Sequence, residues 1–129
     1  LYNMADVSLC ISGEGFGFSL VESMATGKPI IALNHSACAE LVNGVGELVD
    51  VEYYITGVHN TERPYPSQKS LLEKMDKLYY DVELRQKYGK AGMNRSKLFT
   101  WKDIHFKWSK YLRTVIDPLS SNPVLDIIS

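Results

Sequence analysis

The chain has 129 residues, a formal net charge of −1 and a hydrophobic content of 45%, which is typical of a globular protein with one core. This near-neutral balance excludes the strongly basic surface of most nucleic-acid-binding domains. The longest apolar runs are far shorter than the ~20 residues of a membrane-spanning helix, so we expect no transmembrane segment.

The first half of the chain alternates short apolar runs with helical periodicity. The apolar runs are bounded by turn residues, as expected of strands buried on both faces of a parallel sheet. The predicted order is β-α-β-α-β, with strands at residues 7–11, 30–33 and 46–51 and helices at residues 18–26 and 39–43. Such a parallel sheet binds its ligands at the carboxyl ends of the strands.

The second half is predicted to be helical after an irregular segment. Residues 52–67 mix aromatic residues with glycine and prolines and show no sustained period, so we expect a loop there. Three helices follow, from residue 68, from near 81 to about 98, and from 101 to about 116. Asp117 and Pro118 are expected to end the last helix and to leave residues 117–129 as a tail.

The cysteines and histidines indicate no metal or redox site. Cys10 and Cys38 lack a Cys-x-x-Cys spacing, so buried free thiols and a reducing, cytoplasmic setting are expected. His35, His59 and His105 are too scattered to form a local metal motif. No charged and then apolar secretory signal opens the chain.

A glycine-rich turn follows the first strand and leads into the first helix. Gly15 and Gly17 allow the backbone to approach a ligand closely. The N–H groups of Phe18, Ser19 and Leu20 open the helix and have no partner within it. Because a helix N-terminus also carries about half a positive charge, the turn is suited to a diphosphate without a metal ion.

Two acidic residues flank this turn. Glu14 precedes the glycines, and Glu22 lies one helical turn inside the helix, where both are expected to face one cleft. Glu22 is too far along the helix to contact the same phosphate, but its carboxylate is suited to accept hydrogen bonds from the two hydroxyls of a ribose.

Residues 12–30 closely resemble the Glu-x7-Glu motif of retaining GT-B glycosyltransferases of the glycogen synthase and mannosyltransferase type, and the resemblance extends over roughly residues 1–116. Residues 52–67 are longer than that family usually shows. The resemblance implies an α/β fold with a parallel Rossmann-like sheet and flanking helices, the C-terminal part of a GT-B nucleotide-sugar-binding domain. It assigns residues 1–116 to this donor-binding domain and residues 117–129 to the tail.

The resemblance also implies a reaction and a role for each site residue. The reaction is metal-independent transfer of a sugar from a GDP-, UDP- or ADP-sugar, with GDP-mannose as the first guess, to a glycan, lipid or small-molecule acceptor. Glu14 would be the catalytic contact to hydroxyls of the transferred sugar. Gly15, Phe16 and Gly17 would line the sugar pocket. The N–H groups of Phe18, Ser19 and Leu20 would hold the diphosphate. Glu22 would bind the ribose.

Two parts of the resembled family have no match here. Its basic pair, an Arg and a Lys that neutralise the diphosphate, lies upstream of this motif, and its N-terminal acceptor domain is absent. These residues alone are therefore expected to bind donor at best. A non-catalytic nucleotide-sugar-binding module, and a related sugar phosphorylase or epimerase, remain alternatives.

Several residues also have purely structural interpretations. Phe16 and Phe18 have side chains suited equally to a core, and Ser19 is a plausible helix cap. Glu40 is expected to be an acidic residue in the first turn of its helix rather than a donor contact.

Overall fold

The computed structural model describes residues 2–120, with side chains described up to residue 116. The chain forms two units, Leu1–Lys97 and Leu98–Ser129. The predicted division at residue 116 stays a prediction, and most of the predicted tail lies outside the described residues. No helix among residues 2–120 is both long enough and apolar enough to cross a membrane.

The first unit is built on a parallel sheet with the strand order β1-β2-β3. The strands are β1 (Ser8–Cys10), β2 (Ile30–Leu33) and β3 (Glu47–Val49), and every residue of the central strand β2 is buried. Helices α1 (Phe18–Ala25) and α2 (Ser36–Val42) connect the strands. This arrangement confirms the predicted α/β fold class. The prediction was possible because buried parallel strands appear in the sequence as continuous apolar runs.

Helix α2 begins three residues earlier than the predicted start at residue 39. The Asn34 N–H donates to Val49 O at 2.8 Å and the His35 N–H donates to Leu33 O at 2.8 Å, so the chain turns directly after β2. The earlier start moves Glu40 out of the first turn, where it had been expected, and its side chain is exposed.

The loop expected over residues 52–67 is wrong, because this segment forms an antiparallel hairpin of β4 (Val51–Thr56) and β5 (Glu62–Pro66). Strand β4 is rich in β-branched and aromatic residues, which favour strands. The prolines of β5 are tolerated because both strands of a two-stranded ribbon are edges, and an edge strand does not need every N–H. The Gly57 N–H donates to Thr61 O at 2.7 Å and closes the turn.

Three further helices follow, each with a side-chain cap at its start. They are α3 (Gln68–Tyr80), α4 (Val82–Ser96) and, in the second unit, α5 (Trp101–Ser120). The caps are Ser67, Asp81 and Thr100, and each accepts a hydrogen bond from a backbone N–H in the first turn of its helix. The end expected at Asp117 and Pro118 is wrong, because α5 continues to Ser120 with Pro118 in its last turn.

Two glycines bring α4 close to α1. A Cβ on Gly89 would collide with Gly27 O, and one on Gly92 would lie 3.3 Å from Met24 Cγ. The predicted apolar stripe of α4 contributes Leu84 and Tyr88, which pack against the buried cluster of Ile31, Val49 and Leu78. The tightest approach therefore comes from residues without side chains, which hydrophobic periodicity does not reveal.

A buried carboxylate joins β3 to α3 and α4. Glu47 is 5% exposed, and its carboxylate accepts hydrogen bonds from Lys77 Nζ at 2.6 Å and Tyr88 OH at 2.7 Å, with Lys74 Nζ at 3.4 Å. Burial alone would raise the pKa of Glu47, but the hydrogen bonds from Lys77 and Tyr88 and the charges of both lysines outweigh it and lower the pKa. Burial and the bond to Glu47 raise the pKa of Tyr88 to about 12.

We expect Glu47→Gln to lower the free energy of unfolding at pH 7 by about 1–3 kcal/mol, because it removes a charged acceptor from a buried network. The folded-state pKa of Glu47 is lowered, so its contribution is present above the unfolded-state pKa of about 4.3 and is lost as the pH falls through the lower folded-state value. Denaturant unfolding at pH 7 and at pH 3.5 measures this. A stability difference between wild type and variant that does not shrink at the lower pH would contradict it.

Candidate functional site

The turn between β1 and α1 depends on a left-handed glycine. Gly17 is the N-cap of α1 with φ of 89°, a conformation that L side chains rarely adopt. A Cβ there would lie 2.9 Å from Leu41 Cδ1 and 3.0 Å from Leu20 Cδ1. No side chain donates or accepts a capping hydrogen bond at this helix start, so the interpretation of Ser19 as a cap is wrong.

The first backbone N–H groups of α1 differ in their partners. The carbonyl of Gly17 accepts from the N–H of Leu20 at 3.1 Å and of Val21 at 3.2 Å. The Leu20 side chain is also in the core, at 1% exposed. For the N–H groups of Phe18 and Ser19, the described residues supply no acceptor. Two of the three amides expected to bind an anion are therefore available to one.

The two phenylalanines of the turn lie at the surface. Phe16 is 42% exposed and Phe18 is 66% exposed, and their ring centroids are 4.9 Å apart. The core interpretation of these side chains is wrong, because the buried residues of this segment are Gly17 and Leu20. Gly15 lies between Glu14 and Phe16, and a Cβ built on it would have no protein atom within 4 Å.

Glu14 is held in place by the turn that precedes it. Its carboxylate Oε1 accepts from the hydroxyl of Ser12 at 3.1 Å and from the thiol of Cys10 at 3.9 Å. Its carbonyl accepts from the hydroxyl of Ser36 at 3.5 Å, at the start of α2. The acid is half-buried, so one side of it remains open to a ligand.

The open side of Glu14 lines a cavity of about 560 Å³, within the usual size range of small-molecule sites. The cavity lies beyond the carboxyl ends of β1 and β2, where a parallel sheet binds ligands. Its walls come from the turn after β1, the start of α2 and strand β5: Ser12, Gly13 and Glu14; His35 and Ser36; and Glu62, Arg63 and Pro64.

Sequence reasoning missed the last two of these walls. His35 and Ser36 follow directly after the buried strand β2, and polar residues at that point of a parallel strand are a usable signal for a ligand site. Ser36 also has φ of 50°, a backbone strain that sequence does not reveal. The approach of β5 had no local signal, because it depends on how the hairpin folds back.

Glu22 lies outside this cavity, on the exposed surface of α1. Its carboxylate accepts a hydrogen bond from the hydroxyl of Tyr2 at 3.0 Å, and that bond raises the pKa of Tyr2. The two acidic residues that flank the turn are thus separated, with Glu14 in the cavity and Glu22 on the helix.

The cysteines beside the site are free thiols. Burial, with the neighbouring Cys10, raises the pKa of Cys38 to about 11, so this thiol stays protonated at neutral pH. Among the described residues, no group of three or more His, Cys, Asp or Glu side chains is arranged to hold a metal ion. A second cavity of about 400 Å³, beside the start of β1 and α3, shares no residue with the Glu14 cavity.

Comparison with known proteins shows which protein family the chain matches. The family model of the glycosyl transferases group 1 matches residues 1–95, which include β1, α1, the sheet and the hairpin. An uncharacterized glycosyltransferase of Methanocaldococcus jannaschii is 36% identical to the chain over 89 residues, which cover 69% of this chain and 22% of that protein. The chain therefore spans much less than half of that relative's length.

The two glycines of the turn should respond differently to the same substitution. We expect Gly17→Ala to lower the free energy of unfolding by about 1–3 kcal/mol, because it adds a left-handed strain and a clash with two leucines. Gly15→Ala should change it by less than about 0.5 kcal/mol, because its Cβ meets no protein atom. Denaturant unfolding of both variants measures this, and equal losses would contradict the assignment.

Proposed function

This chain belongs to the glycosyl transferases group 1 family, and from that premise we propose that its glycine-rich turn binds a nucleotide-diphosphate sugar. The full-length protein then transfers the sugar to an acceptor with retention of anomeric configuration. In this proposal the chain is the C-terminal, donor-binding part of a GT-B enzyme, and the acceptor is bound largely by the rest of the protein.

The observation that carries this proposal is the start of α1. The N–H groups of Phe18 and Ser19 have no acceptor in the described part of the chain, and Gly17 leaves the space beside them without a capping side chain. Unpaired amides at a helix N-terminus bind phosphate oxygens. The N–H of Leu20 already donates to Gly17 O, so we assign the diphosphate to the other two amides and give Leu20 the role of anchoring the helix.

The same amides stabilise the charge that develops during the reaction. When the bond between the anomeric carbon and the phosphate oxygen breaks, its electron pair goes to the departing diphosphate, while the sugar passes through an oxocarbenium-like transition state. Donors fixed where charge develops are usually the largest catalytic contribution, and removing one costs about 3 kcal/mol. No metal ion is needed for this role.

Glu14 and Glu22 hold the two ends of the donor. The Glu14 carboxylate keeps one side open to the cavity while Ser12 fixes its orientation, so it accepts hydrogen bonds from hydroxyls of the transferred sugar. Gly15, Phe16 and Gly17 line the passage between sugar and diphosphate. Glu22 binds the ribose hydroxyls, which replace the hydroxyl of Tyr2 as hydrogen-bond donors. GDP-mannose is the first donor to test, with UDP- and ADP-sugars beside it.

A second function is a non-catalytic nucleotide-sugar-binding module. Open amides at the start of α1 are sufficient to bind a diphosphate and do not by themselves require transfer. Turnover by the full-length protein separates the two functions. Donor binding without any turnover, whether transfer, hydrolysis, phosphorolysis or epimerisation, would support the binding module. Phosphorolysis or epimerisation would instead identify the related sugar phosphorylase or epimerase.

We expect Glu22→Ala to weaken nucleoside diphosphate binding by about tenfold, through loss of charged hydrogen bonds to the ribose. Glu14→Ala should instead lower kcat by about a hundredfold and change diphosphate binding little, because it contacts the sugar in the reacting state. Calorimetric titration with GDP, UDP and ADP, and donor turnover by the full-length protein, measure these effects. Glu40→Ala, an exposed acid on α2, is the matched control. Unchanged kinetics in both site variants would remove the proposed roles.

We also expect Gly15→Ala, which leaves protein packing undisturbed, to weaken binding of the nucleotide sugar by about tenfold or more, because a Cβ there would enter the space assigned to the donor. Titration of the folded variant measures it. Wild-type affinity would show that the donor does not approach this backbone.

A further inference from the structure

The β4–β5 hairpin forms a wall of the Glu14 cavity that the proposed function leaves unused. Tyr54 pairs with Pro64 and Thr56 pairs with Glu62. Because side chains alternate across a strand, these four residues share one face of the hairpin. On this face the Tyr54 ring lies 5.9 Å from the His35 ring, edge to face, and Pro64 and Glu62 line the cavity. The hairpin therefore faces the site.

The opposite face of the hairpin carries a stacked pair of tyrosines and Arg63, which also lines the Glu14 cavity. The Tyr53 and Tyr65 rings stack there with centroids 4.8 Å apart and an interplanar angle of 12°. Together with Glu52 they line a different cavity, against α3. The register shifts between Val51 and Tyr53, and Glu52 lines this second cavity, whereas Glu62 lines the cavity of Glu14.

The charged groups of the cavity are available to a ligand. The side chains of Glu62 and Arg63 have no hydrogen-bond or ion-pair partner among the described residues. The carboxylates of Glu14 and Glu62 outnumber the single guanidinium of Arg63, so the lining has one negative charge in excess when His35 is counted as neutral. Its remaining polar groups, such as the hydroxyl of Ser36, both donate and accept.

We propose that the hairpin is the outer wall of the sugar pocket and that Glu62, with Glu14, selects a neutral, hydroxyl-rich sugar over a sugar that carries a carboxylate or phosphate. This inference rests on the proposed function and names the substrate class of its site. Carboxylates accept hydrogen bonds from neighbouring hydroxyls, whereas an anionic substituent meets net repulsion, because the two carboxylates outnumber the single guanidinium of Arg63 in a partly enclosed space. Specificity then comes from an unfavourable contact with the wrong sugar.

The test uses the full-length protein and two matched donor pairs, UDP-glucose with UDP-glucuronate and GDP-mannose with GDP-mannuronate. Within each pair, the neutral sugar carries a hydroxymethyl group where the acidic sugar carries a carboxylate. We expect wild type to bind the neutral member about tenfold more tightly than the acidic one. Glu62→Gln should reduce this preference about threefold, and Glu62→Lys should abolish or reverse it, while the affinity for UDP and GDP alone stays unchanged.

Glu52→Gln is the matched control, because it removes the same charge from the same hairpin at the second cavity. Circular dichroism and thermal unfolding confirm that the exposed Glu62 variants are folded. Equal binding of both members by wild type, or a preference that Glu62→Gln and Glu62→Lys leave unchanged, would overturn the inference alone. Absence of any nucleoside diphosphate binding would overturn the proposed function and this inference with it.

Discussion

The left-handed conformation of Gly17 is the constraint on which the rest of the site depends. It allows the chain to leave β1, turn, and begin α1 with its backbone against Leu20 and Leu41. The same residue caps the helix without a side chain, which leaves the N–H groups of Phe18 and Ser19 open on the outer surface. One backbone dihedral thus connects the packing of the core to the availability of the site.

Two contacts support α1 from the opposite side of the unit. Helix α4 approaches Met24 of α1 at Gly92 and the turn after α1 at Gly89, where a Cβ would collide with Gly27 O. Helix α4 is itself anchored to β3 by Tyr88 and the buried carboxylate of Glu47. The ion pairs of Glu47 are formed with Lys74 and Lys77 of α3, and it is the hydrogen bond from Tyr88 that fixes α4, the helix that packs on α1. The start of α1, which carries the open amides, is therefore supported by α4, and α4 is fixed to β3.

The sequence predicted those parts of the fold whose burial leaves a local pattern. Strands β1, β2 and β3 appeared as short apolar runs bounded by turn residues, and the central strand β2 is buried at every residue because both of its faces are covered. The hairpin was missed because nearly all of β4 is exposed, so no alternation marks it. In the site, the open amides of Phe18 and Ser19 followed from the general physics of a helix start, whereas the loss of the Leu20 amide to Gly17 O depended on the local geometry. Glu62 and Glu14 line one cavity although they are distant in sequence, and no local pattern indicates this.

The attachment of the hairpin has a consequence for how this protein diversifies. The Ser67 N–H donates to Asp50 O at 2.8 Å, so the chain departs and returns at adjacent points. Substitutions, insertions or deletions between those points need not displace β3 or α3, because the strand and the helix are joined to each other where the hairpin leaves them.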